Sequence, residues 1–205
     1  MKIGIIDYGL SNLNSICNAV EKLDYKYELI QDDKKFDNCE KFILPGVGSF
    51  PTAVINLKKR GIFDKIKSAV VNDKKPILGI CLGMQLFFES SEEDGGSNGL
   101  GILKGKVKEL KPRKNLKVPN IGWKEIIIDK PGILLKDIEE KPIFYFVHKF
   151  ACFCEEKNIV KSKLNYINEF ECIVENKNIF ATQFHPEKSQ KLGFKILENF
   201  LKADG

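Results

Sequence analysis

Two periodicities alternate along the first half of the chain. Residues 2–7 form a short apolar run of the kind a fully buried strand requires, and residues 12–23 place Leu13, Ile16, Val20 and Leu23 on one face of an amphipathic helix. The same reading predicts strands over residues 25–30, 41–44 and 76–80. Helices are expected over residues 51–59, 63–72 and 82–89. Regular strand–helix alternation of this sort predicts an α/β domain with a mostly parallel sheet. Past Gly95-Gly96-Ser97-Asn98-Gly99, read as a flexible connection, the pattern changes to short strands at residues 106–110, 121–128 and 143–147, then 158–163, 169–175 and 178–183. Ser189 is expected to cap a closing helix whose apolar side carries Leu192, Ile196, Leu197, Phe200 and Leu201. No repeat or low-complexity tract interrupts the chain, and a single domain over residues 1–205 is expected.

Against that frame the most informative segment is Gly79-Ile80-Cys81-Leu82-Gly83, a thiol between two glycines where a strand gives way to a helix. The chain must reverse within about three residues there, so glycines on both sides remove colliding side chains while the central residue is held strained and exposed. A helix starting at Leu82 presents unpaired N–H groups and the positive end of its dipole, which favour a thiolate and a developing oxyanion. A free cysteine is otherwise a common buried filler, so a base must accompany it. The chain has two histidines. His185 stands in Phe184-His185-Pro186-Glu187, where Pro186 closes the strand; in extended geometry His185 and Glu187 point the same way, so the carboxylate can orient the ring. His148, in Tyr145-Phe146-Val147-His148, reads as a structural histidine.

A third segment, Pro45-Gly46-Val47-Gly48, follows a hydrophobic strand but lacks the length and the lysine of a phosphate-binding loop. Its glycines let backbone N–H groups approach a carbonyl and join Leu82 in an oxyanion hole; an ordinary strand-to-helix turn is the alternative. In a doubly wound sheet, ligands bind beyond the C-terminal strand ends, which is where Gly46, Cys81 and His185 are expected to meet.

Composition narrows the field. The 205 residues carry 43% hydrophobic and 30% charged side chains, as a soluble globular domain does. The net charge of +5 comes almost wholly from lysine, since only Arg60 and Arg113 are arginines. Scattered lysine is a poor phosphate-reading surface, so no nucleic acid is expected. Cys17, Cys39, Cys81, Cys152, Cys154 and Cys172 come without a secretory leader or a CxxC pattern, and Cys152-Phe153-Cys154 lacks enough ligands nearby for zinc. Reduced thiols, no metal and a cytoplasmic location are the expectation. No stretch reaches the roughly 18 to 20 apolar residues of a membrane helix.

Pro45-Gly46-Val47-Gly48, Gly79-Ile80-Cys81-Leu82-Gly83-Met84-Gln85 and Phe184-His185-Pro186-Glu187-Lys188-Ser189 resemble, in order and spacing, the class I (triad) glutamine amidotransferases, and among them the HisH family of glutaminase subunits. The resemblance covers essentially the whole chain from Ile3-Gly4-Ile5-Ile6-Asp7-Tyr8-Gly9. It implies the fold of that class, a mostly parallel sheet flanked by helices with additional antiparallel strands, and no cofactor. It further implies that Cys81, His185 and Glu187 hydrolyse L-glutamine through a thioester, with Val47, Gly48 and Leu82 as the oxyanion hole. Gln85 and Glu93 match the positions that hold the amide and amino ends of the substrate. Without the resemblance, Glu89, Glu92, Glu93 and Asp94 read as a solvated acidic helix end.

The resemblance also implies a (β/α)8 synthase partner of HisF type that receives the ammonia in imidazole glycerol phosphate formation, with Asn120, Trp123 and Lys188 near the contact. The chain departs from the family pattern at Gly122-Trp123-Lys124 and at Lys149-Phe150-Ala151. These departures leave open a paralogous glutaminase that supplies a different acceptor, such as a sugar-modifying amidotransferase; a non-catalytic scaffold is a third reading, opposed by the intact triad.

Overall fold

The computed structural model describes residues 1–113 and 116–203. The first half alternates as the pattern requires: β1 (Lys2–Ile6), α1 (Leu13–Lys22), β2 (Lys26–Ile30), β3 (Lys41–Gly46), α2 (Phe50–Lys59), α3 (Ile62–Val71), β4 (Ile77–Cys81) and α4 (Leu82–Leu86). The second half carries β5 (Ser90–Ser91), β6 (Ser97–Asn98), β7 (Gly105–Glu109), β8 (Asn120–Glu125), β9 (Ile127–Ile128), β10 (Ile143–His148), β11 (Phe150–Cys154), β12 (Val160–Asn165), β13 (Glu169–Asn176), β14 (Ile179–Thr182) and α5 (Gln190–Lys202).

Eight strands make the central sheet in the order β2-β1-β3-β4-β14-β13-β12-β9. The five from β2 to β14 run parallel, and β13, β12 and β9 extend the sheet antiparallel. Side chains alternate across it. Ile77, Ile179 and Ala181 face a core with α2 and α3, while Leu78, Ile80 and Phe180 face a second core with α1 and α5. Burial on both faces is why these strands read as continuous apolar runs. Ile16 and Val20 of α1 and Ile196, Leu197, Phe200 and Leu201 of α5 are buried, whereas Leu13, Leu23 and Leu192 pack at the margin. A small sheet, β11-β7-β5-β6, and a two-stranded ribbon, β8 with β10, stand beside the main one.

Several sequence expectations change in detail. The single strand over residues 121–128 is two, because the chain turns at buried Ile126 and passes from the ribbon to the far edge of the main sheet. The helix after the elbow stops at Leu86, where Leu100, Ile102 and Leu103 N–H groups take the carbonyls of Leu86 and Phe87. Pairing with β5 draws the expected flexible connection into β6, after a helical turn over Glu93–Gly95. Strand β11 had no counterpart in the pattern, since Phe150-Ala151-Cys152-Phe153-Cys154 is apolar throughout and lacks an alternating signature.

Lys41, buried at the start of β3, donates its ammonium protons to the carbonyls of Phe200, Leu201 and Ala203 at the end of α5. A cation there satisfies orphan carbonyls and complements the helix dipole. Replacing it by an apolar chain strands those acceptors. Lys41→Met is expected to lose about 1.5–3 kcal/mol of stability, the worth of a charged hydrogen bond, read by urea denaturation.

Candidate active site

Strands β3, β4 and β14 lie side by side with Gly46 opposite Cys81 and Thr182 opposite Ile80, so the glycine loop, the thiol and the histidine segment leave the sheet at one edge. Cys81 ends β4 at φ 55° and ψ −107° and begins α4 directly. Left-handed backbone at a non-glycine residue costs of order 1–3 kcal/mol and persists only where the surroundings impose it. Here the flanking glycines impose it. A Cβ on Gly83 would stand 1.7 Å from the Leu44 carbonyl oxygen, and one on Gly79 2.6 Å from the Phe87 ring and 2.8 Å from the Gly83 carbonyl. The elbow is therefore pressed against β3 more closely than any side chain would permit.

Behind the thiol, His185 Nδ1 and Glu187 Oε1 lie 2.7 Å apart, both side chains buried. The route to this contact differs from the extended one expected. His185 is extended at ψ 97°, but Pro186–Lys188 forms a helical turn that folds Glu187 back onto the ring. Ser189, expected as a cap for α5, makes no cap hydrogen bond; its hydroxyl donates to the His185 carbonyl at 2.6 Å and accepts from Tyr145 N–H. The His185 N–H donates in turn to the Tyr145 carbonyl. Two bonds to β10 thus lock the ring's backbone, and Nε2 is left buried without a conventional partner. Burial opposes charge on this imidazole, but the Cys81 sulfur and the Glu187 carboxylate outweigh it and raise its pKa well above the ordinary 6.5.

In front of the thiol is a cavity of about 400 Å³ lined by Val47, Gly48, Leu82, Gln85, Glu93, Pro119, Val147, His148, Lys149, Phe150 and Lys188 as well as Cys81. Glu93 Oε2 accepts from Phe50 N–H at 2.8 Å, which holds the carboxylate at the mouth of α2, and burial raises its pKa. Gln85 Nε2 donates to the Phe150 carbonyl at 2.9 Å. The Val47 N–H, expected in the oxyanion hole, donates to the Leu10 carbonyl at 2.8 Å and so is unavailable in this conformation. Gly48 sits at φ 100° on the cavity wall.

The residues expected at a partner contact part ways. Asn120 is fully buried and donates Nδ2–H to His148 Nε2 at 3.0 Å. That bond requires His148 Nδ1 to carry the proton it shares with the Phe150 carbonyl at 2.8 Å, so the ring is neutral; burial pushes its pKa down to about 4. Trp123 is 46% exposed, edge-on to Tyr145, and Lys188 lies over the same Tyr145 ring. Neither lysine at the departures from the family pattern bonds Cys81, His185 or Glu187: Lys124 rests on Tyr166, and Lys149 pairs with Glu109 at 2.7 Å. Gln183, which the sequence reading passed over, is fully buried with Nε2 at 3.9 Å from Cys81 Sγ. A polar residue inside the apolar run Ile179 to Phe184 is the signal that marks it.

A family model for class-I glutamine amidotransferases matches residues 4–203, and the chain belongs to that family. Its kin there are HisH subunits. Subunit HisH 1 of imidazole glycerol phosphate synthase from Campylobacter jejuni (strain RM1221) is 46% identical over 200 residues, covering 98% of this chain and 99% of the relative. The HisH subunit from Leptospira borgpetersenii is 41% identical over 201 residues, covering 97% and 98%. Among solved structures, a glutamine amidotransferase superposes with a TM-score of 0.77 at 15% identity, covering 98% of this chain and 97% of the other. A chain of PurLQS from Thermotoga maritima gives 0.74 at 21%, with the same coverage. These two establish the fold. Among the described residues no helix is long and apolar enough to cross a membrane.

Glu187 supplies the anion that favours the protonated ring, so its removal lowers the His185 pKa. Glu187→Gln is expected to reduce glutamine turnover by about two to four orders of magnitude, as loss of the orienting carboxylate does in a triad. The alkaline limb of its pH–rate profile shifts to lower pH, because the imidazolium is present only below its pKa. A limb in the wild-type position removes Glu187 from this role.

Proposed function

We propose that this chain is a HisH-type glutaminase that hydrolyses L-glutamine to glutamate and ammonia in the cytoplasm. In this reading it passes the ammonia to a (β/α)8 synthase subunit of HisF type for imidazole glycerol phosphate formation in histidine biosynthesis. The observation that carries it is the thiol on a strained elbow between the His185–Glu187 pair and a cavity walled by Gln85 and Glu93. Cys81 sulfur attacks the side-chain carbonyl carbon of glutamine, and the oxyanion forms beside the Leu82 and Gly48 N–H groups. His185 gives its proton to the departing nitrogen as the carbon–nitrogen bond breaks, leaving a γ-glutamyl thioester and ammonia. Water, deprotonated by the now neutral ring, attacks the thioester carbonyl, and the carbon–sulfur bond breaks to release glutamate and restore the thiolate and the imidazolium. Glu93 is suited to the α-amino group, and Gln85 to the amide.

The ribbon of β8 and β10 offers a docking face beside this cavity. Ile121, Trp123 and Ile143 are exposed on it, and Lys188 and Val147 carry it to the cavity wall. Aromatic and aliphatic anchors on such a face favour a protein partner. The Val47–Leu10 bond gives a reason for activation by that partner: the Val47 peptide has to leave Leu10 before it can serve an oxyanion. Turnover by the isolated chain is therefore expected to be weak and to rise about 10²–10³-fold with the synthase subunit, the worth of one oxyanion donor. Equal turnover with and without the partner would refute it.

Cys81→Ala separates the steps. The variant complex is expected to lose glutamine-dependent synthase activity while keeping activity supported by ammonium salts. Retained glutamine hydrolysis overturns the assignment of the nucleophile, and loss of both activities overturns the assignment of the chain as ammonia donor.

A further inference from the structure

Around the nucleophile, the orientation of three side chains follows from one backbone group. The Phe150 carbonyl can only accept, and two donors converge on it: His148 Nδ1–H at 2.8 Å and Gln85 Nε2–H at 2.9 Å. With its nitrogen fixed there, Gln85 can offer only N–H to the next amide along, so the atom it meets at 3.4 Å is Gln183 Oε1. Burial pushes the Cys152 thiol well up, so this sulfur keeps its proton and donates to the same Oε1 at 3.8 Å. Both contacts demand an oxygen at that end of Gln183. Its other end, Nε2–H, is therefore turned towards Cys81 Sγ, 3.9 Å away. Gln183 is itself pinned by its backbone N–H on the Cys172 carbonyl and is 0% exposed, so water does not compete for the amide.

We propose that Gln183 is a positioning residue for the glutaminase reaction, donating Nε2–H to the Cys81 sulfur so that the thiolate is held and stabilised by a buried amide outside the cavity lining. The inference rests on the assignment of Cys81 as nucleophile. A donor to the charged form of a group favours that form. His185 favours it electrostatically, so the sulfur has a second support before it attacks and again when the carbon–sulfur bond breaks to release glutamate. The thiol's alternative bond, to the Val147 carbonyl at 3.9 Å, is available only to the protonated form, and Gln183 competes against it. The other ionisable groups around the sulfur are Tyr8, Cys152 and His148, all kept neutral by burial, with Glu187 acting through His185 and with Glu93, Lys149 and Lys188 on the cavity wall. Gln183 is thus a neutral donor among groups that otherwise act by charge or not at all.

The test reads thiolate formation without substrate. Rates of alkylation of Cys81 by iodoacetamide are measured across pH on the full chain, the modified residue being identified by mass spectrometry, so the result stands whether or not glutamine is hydrolysed. Gln183→Met keeps the volume and removes the donor; its midpoint is expected to rise by about one pH unit, the loss of one hydrogen bond to a charged group. Gln183→Glu keeps the shape and places an oxygen where the N–H was, and its midpoint is expected to rise further. Circular dichroism identifies which variants fold. A midpoint unchanged from wild type in any folded variant overturns the proposal, even if glutamine turnover falls, because that pattern belongs to a residue that only braces Gln85.

Discussion

Close contact between the Cys81 elbow and strand β3 is the constraint on which the rest of the molecule depends. Gly83 lies against the Leu44 carbonyl at a distance that admits no Cβ, and this approach lets the chain leave β4 with Cys81 at φ 55° and enter a helix without an intervening loop. Strain at a single residue is affordable because the parallel strands on either side are buried on both faces and their register leaves no freedom to relax it. The same register brings Gly46 level with Cys81 and delivers the segment after Thr182 to the neighbouring position. Chemistry and architecture are therefore set by one packing decision.

Burial then sorts the ionisable groups. His185 and His148 occupy adjoining ground, yet one is biased to carry charge and the other to be neutral, and the difference lies in their hydrogen-bond partners. His185 faces a carboxylate and a sulfur; His148 has a carbonyl on one nitrogen and an amide donor on the other, an arrangement that a second proton would disrupt. The Phe150 carbonyl, shared by His148 and Gln85, joins the neutral histidine to the substrate wall. The His185–Glu187 pair stands behind the sulfur, with Gln85 and Glu93 in front of it on the cavity wall.

Much of this was legible in the chain itself. Flanking glycines marked the elbow, and a histidine two residues from a glutamate marked the pair, because both depend on local geometry that a few residues determine. Local patterns failed where long-range pairing decided the outcome. Residues 121–128 read as one strand, and only the arrival of β10 on one part and β12 on the other divides them. Ser189 sits where a cap belongs, but the nearby backbone of Tyr145 and His185 claims its hydroxyl. Val47 was expected to donate to an oxyanion, and its N–H is held by Leu10, a residue 37 positions away. Gln183 went unnoticed because its role depends on three partners from three other elements.

The indole of Trp123 has a consequence of its own. It is the sole tryptophan in the chain, half in water, with its edge on the Tyr145 ring whose backbone is bonded to both His185 and Ser189. Emission excited at indole wavelengths therefore comes from one known place, one residue removed through β10 from His185. Emission from this protein is a local optical probe of the scaffold that holds His185, and no label need be introduced to follow it in time.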